Sequence, residues 1–137
     1  MKTESEKRIR ELLEASAVNA LTGDESKELR LLLNSEPVKS FAYHLKVSHK
    51  VRSTVSQEIE EVMRAKINPE VPISDLSFLS RRLQIGHPLK TKVEDMVIKL
   101  ANDATIEKLE DEVKLTIEGT RLDTELIRIL EEKRKAQ

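Results

Sequence analysis

The sequence predicts an all-α fold, and three observations carry that prediction. Only three Gly and four Pro occur in 137 residues, too few for the many tight turns of a sandwich or barrel. Apolar residues recur at three- and four-residue spacings along most of the chain, the period of a helix that buries one face. Cys and Trp are absent and Tyr and Phe number one and two, so the core is built from Leu, Ile and Val. About six or seven helices are expected, packed as a bundle.

The first helix is expected from about Ser5 to Leu21, with Ile9, Leu12, Leu13, Ala17, Ala20 and Leu21 on one face and Thr3 with Glu6 as a capping box. Thr22-Gly-Asp-Glu then reads as a stop and a start. Gly23 can end the first helix in the left-handed conformation, and Thr22 or Asp24 can cap the second. That second helix, carried by Leu29, Leu32 and Leu33, runs to about Asn34, and Pro37 opens the third.

Residues 37–66 contain no Gly and no Pro after Pro37 itself and are expected as one long helix of roughly 45 Å. Its apolar phase shifts along the way. Val38, Phe41, Ala42 and Leu45 form one stripe, and Val51, Val55, Ile59, Val62 and Met63 form another. A kink near Ser48-His49, or a helix that buries different faces against different partners, accounts for the shift.

Asn68-Pro-Glu-Val-Pro forces extended backbone before each proline and divides an N-terminal half, 1–67, from a C-terminal half, 74–137, by a linker at 68–73. After it Ser74 is expected to cap a helix bearing Leu76, Leu79 and Leu83, which ends at Ile85-Gly86. Pro88 opens the next, with Leu89, Val93, Met96, Val97 and Leu100 on one face and Asn102-Asp103 at its end. Helical spacing resumes with Ile106, Leu109, Val113 and Ile117, and again beyond Gly119 with Leu122, Leu126, Ile129 and Leu130. Val113, Leu115 and Ile117 also alternate, so a short strand or hairpin at 113–122 is the alternative there.

Charge and composition narrow the function classes. Without Cys there is no disulfide framework and no thiolate-ligated metal. The 24 Lys and Arg balance 25 Asp and Glu, the first two thirds of the chain are each close to parity and only the last leans acidic, which argues against nucleic acid as a partner. The termini carry no apolar run of signal-peptide or membrane-span length, so a cytoplasmic location without membrane contact is expected. His44 and His49 are five residues apart and would point some 140° away from each other on a helix, unlike a metal pair at spacing three or four. His87, between Gly86 and Pro88, reads as a cap for the following helix. With no glycine-rich phosphate loop and no nucleophile elbow, neither catalytic residues, nor a metal, nor a cofactor is assigned, and an enzyme is not expected.

Two segments rise above this background. Asp75 to Val97 contains two short amphipathic helices around a Gly-containing turn, as a helix-turn-helix does, and would place Lys90 and Lys92 toward a major groove with Arg81 and Arg82 on phosphates. A plain α-hairpin fits the same residues, and Glu94-Asp95 would face the phosphates. In the N-terminal half, Leu21-Thr-Gly-Asp-Glu-Ser-Lys-Glu-Leu-Arg-Leu-Leu-Leu-Asn-Ser-Glu-Pro-Val-Lys, set between two helices, resembles the anti-sigma domain of bacterial anti-sigma factors over residues 7–67. The positions matching the zinc-binding members' His and two Cys are Leu32, Glu36 and Lys39, so the resemblance is to the zinc-free members and implies a helical clamp on a sigma factor.

The resulting expectation is a non-enzymatic helical protein-interaction module, anti-sigma-like in its N-terminal half, that meets a protein partner through Val51, Val55, Ile59 and Val62. The alternatives are a helix-turn-helix DNA-binding regulator using Arg81, Arg82, Lys90 and Lys92, and an oligomeric viral or filament assembly protein using the heptad-like 104–135 region.

Overall fold

The computed structural model describes residues 3–137; the first two residues of the N-terminal half lie outside it. Among the described residues the chain forms eight α-helices, one 3-10 turn and no strand. It divides into two compact units, Met1–Lys66 and Ile67–Gln137.

The first unit contains α1 (Glu4–Val18), α2 (Gly23–Ser35), a 3-10 turn (Val38–Ser40), α3 (Phe41–Lys50) and α4 (Ser56–Lys66). Thr3 caps α1 by accepting from the Glu6 amide at 3.1 Å. At α2 the capping box is complete: the Glu25 amide donates to Thr22 Oγ1 at 3.1 Å, and the Thr22 amide donates to Glu25 Oε1 at 2.9 Å. Gly23 is therefore the first residue of α2 and not the left-handed end of α1, which closes at an extended Asn19. Helix α1 packs on α2 and α3, and α4 packs on α2 and α3. Ile9, Leu12 and Leu13 of α1, Leu33 of α2, Phe41 of α3 and Ile59 of α4 are almost fully enclosed. The pairs Arg30–Glu61 and Glu36–Lys66 advance together along α2 and α4, so these two helices run parallel.

The expected long helix over 37–66 is broken. Helix α3 ends at Lys50 in a Schellman motif, with the Arg52 amide donating to the His49 carbonyl at 3.2 Å and the Ser53 amide to the Ser48 carbonyl at 2.9 Å. That motif needs a left-handed residue, and Arg52 supplies it at φ 60°. Ser53 Oγ then accepts from the Val55 amide at 3.1 Å and starts the turn into α4. The phase shift between the two apolar stripes marks a reversal of chain direction, not a kink.

The second unit contains α5 (Ile73–Arg82), α6 (Lys90–Ala101), α7 (Ile106–Leu115) and α8 (Arg121–Lys135). Helices α5 and α6 form one antiparallel hairpin and α7 and α8 another, joined by contact between α6 and α8. Helix α5 starts after Pro72, whose carbonyl accepts from Asp75 at 3.0 Å, so Ser74 lies inside the helix and is not its cap. Thr105 and Thr120 cap α7 and α8 through the Lys108 and Asp123 amides.

The alternative strand at 113–122 is replaced by the end of α7, a turn and the start of α8. Buried Asp123 accounts for the turn: it accepts from the Thr116 hydroxyl at 2.6 Å and from the Gly119 amide at 3.3 Å, while Gly119 takes φ 83°. Leu115 and Ile117, which suggested alternation, are 55% and 63% exposed, so no sheet face stands behind the pattern.

Candidate functional site

The four residues expected to meet a partner lie differently from that expectation. Val55, Ile59 and Val62 are buried in the chain's own core, and Val51 is half-buried as the cap of α3. A face that is already covered offers no apolar area for a second chain to cover. The reversal at Arg52 turns this stripe inward.

The basic residues of the α5–α6 hairpin form a corner with a defined shape. The Arg82 guanidinium lies over the half-buried Phe78 ring at 4.1 Å from its centroid, with the Arg81 guanidinium at 5.9 Å. Arg81 also donates to Ser77 Oγ at 2.9 Å. Lys90 points back to the end of α5, where its ammonium donates to the Ser80 carbonyl at 2.6 Å and the Leu83 carbonyl at 3.2 Å. Orphan carbonyls of a helix end are thereby satisfied by a cation on the favourable side of the dipole. Lys92 is exposed in the first turn of α6.

Residues 83–89 separate the two helices, a longer connection than a helix-turn-helix uses. They are nevertheless tightly held. The His87 amide donates to the Gln84 carbonyl at 3.0 Å, the Lys90 amide to the His87 carbonyl at 3.0 Å, and the Leu89 amide to His87 Nδ1 at 3.1 Å, so His87 caps the turn. Gly86 takes φ 90°, which a β-carbon would oppose. On this fixed turn Ile85 is 97% exposed, beside the Arg82–Phe78 stack in sequence. Sequence periodicity missed Ile85, reading it only as a helix end; a large aliphatic residue next to Gly in a turn was the available signal.

The other polar constellation is interior. His44 Nε2 lies 2.9 Å from Glu36 Oε1, with the His44 side chain 2% exposed and that of Glu36 9% exposed. The imidazole is edge-on to Phe41 and Tyr43, and the Lys66 ammonium donates to the Glu36 carbonyl at 2.7 Å. This pair is sealed from solvent and closes α3 onto the end of α2. Among the described residues no cluster of three or more His, Asp or Glu has metal-binding geometry, and no helix is long and apolar enough to cross a membrane.

No protein family, curated protein or solved structure matches the chain.

Proposed function

We propose that the protein is a non-enzymatic protein-interaction module, and that the corner formed by Phe78, Arg81, Arg82 and Ile85 is its contact surface. One observation carries the reading: Ile85 is 97% exposed on a turn whose backbone is already fixed. An apolar side chain presented rigidly loses little conformational freedom on binding, and the aromatic–arginine pair that precedes it in sequence is the composition of energetic centres at interfaces. The resemblance of residues 7–67 to the zinc-free anti-sigma domain lies in the first unit, apart from this corner, and supports a sigma factor as a separate partner class to test. A cytoplasmic transcription regulator, possessing no cofactor, is the finer form of this proposal.

The test is capture by the immobilised full chain and by Ile85→Glu, against extract of the native host and against purified sigma factor. A partner retained by the parent chain and lost from Ile85→Glu at unchanged helix content supports the reading. Equal retention by both chains removes the corner as the contact surface. Light scattering separates a further outcome, self-association that depends on residues 104–137, which supports the assembly class instead.

A further inference from the structure

Helix α3 carries a basic face with no acidic neighbour in sequence. Residues 37–57 contain no Asp or Glu, in a chain with 25 of them, yet hold Lys39, Lys46, Lys50 and Arg52. Tyr43, Lys46 and Lys50 stand at i, i+3 and i+7 and leave α3 on one face, with Lys39 one turn before Tyr43 and Arg52 in the turn after the helix. All five are exposed, Tyr43 to 40%. Among the described residues none of these four cations forms an ion pair, whereas Arg8, Arg10 and Arg30 of α1 and α2 each hold a carboxylate. On the adjoining α1, Arg10 holds Glu14 at 2.8 Å, so that acid is already neutralised by a cation of its own helix.

We propose that this face of α3 binds single-stranded nucleic acid, with Lys39, Lys46, Lys50 and Arg52 tracking phosphates and Tyr43 stacking on a base. Four lysine and arginine charges left unpaired along α3 and the turns that flank it need a repeating anion, and a nucleic-acid backbone supplies one. An aromatic ring interleaved with the cations is what a single strand uses and a duplex backbone does not. A protein partner is disfavoured because lysine is depleted at protein interfaces. A membrane is disfavoured because Tyr43 is the one large apolar side chain exposed between residues 37 and 57. The surface is distinct from the α5–α6 corner, and the inference stands independently of the partner proposed there.

Fluorescence anisotropy of the full chain with a labelled oligothymidylate of about 20 nucleotides tests it. Binding at about 50 mM salt is expected to weaken with a log–log salt slope of about −3, as four neutralised phosphates on a single strand require. Lys46→Glu/Lys50→Glu is expected to lose about tenfold or more, while the equally charged change Lys108→Glu/Lys114→Glu in α7 leaves binding within about twofold. Tyr43→Ala is expected to lose about tenfold and Tyr43→Phe to bind as the parent does. Absence of binding, equal loss in both lysine pairs, or displacement by polyglutamate at matched charge overturns the proposal. Duplex bound as tightly as single strand, with Tyr43→Ala silent, overturns the single-strand assignment.

Discussion

His44 Nε2 and Glu36 Oε1 meet at 2.9 Å inside the first unit, joining the middle of α3 to the residue that closes α2. Removing one member leaves the other buried without its partner, which costs more than the pair itself contributes. His44→Ala is expected to destabilise the chain by about 3 kcal/mol, read as a lower urea midpoint. Glu36→Gln keeps an acceptor and should cost less. Glu36→Leu/His44→Leu should recover most of the loss, because no unpaired polar group remains.

Arg52 is the left-handed residue of the Schellman turn, a conformation that costs an L-residue about 1 kcal/mol or more. Arg52→Gly is expected to raise stability by about 0.5 kcal/mol after the greater freedom of glycine in the unfolded chain is subtracted. Arg52→Val should lower it, since β-branching opposes positive φ. Chemical denaturation of both variants checks the sign.

Glu112 of α7 is 2% exposed, and its Oε2 has no hydrogen-bond partner. A buried acceptor left unsatisfied is a cost that an apolar side chain of similar size does not carry. Glu112→Leu is expected to stabilise the chain by about 1–3 kcal/mol, seen as a raised urea midpoint with unchanged helix content.

Arg8 and Glu28 tie α1 to α2 through two hydrogen bonds of 2.8 Å. The bond from Arg8 holds the Glu28 carboxyl below its ordinary value. A depressed carboxyl contributes stability above its unfolded value and loses it as pH falls through the folded one. The contribution should therefore be present at neutral pH and fade on acidification below the usual carboxylate range, about pH 4.3. Glu28→Gln should flatten that part of the acid-unfolding curve, while both chains keep the same dependence above it.

The all-helical class was legible because packing of aliphatic faces writes its period into the sequence, and Thr3 announced the start of α1 through Glu6 three residues on. At α2 the sequence left Thr22 and Asp24 as rival caps, and the box that Glu25 completes decides for Thr22. The break at Arg52 was not legible, since its left-handed turn uses none of the residues that favour that conformation. Read as one helix, Val55, Ile59 and Val62 change faces relative to Val38 and Phe41, whereas the reversal places all three in the core. The basic face of α3 escaped charge counts taken over thirds of the chain, because the acids of α1 and α2 offset its lysines in the sum and lie on other helices. Ile85 was hidden for the opposite reason, being an apolar residue whose turn holds it outside the core.

The claim that the chain works by contact at the α5–α6 corner is tested most directly by a photo-crosslinking amino acid in place of Ile85. The control carries it in place of Glu107, which is exposed in α7. Irradiation in the native host should yield a discrete protein adduct from position 85 and none of that mass from position 107. No adduct at position 85, or the same adducts from both positions, would contradict the account.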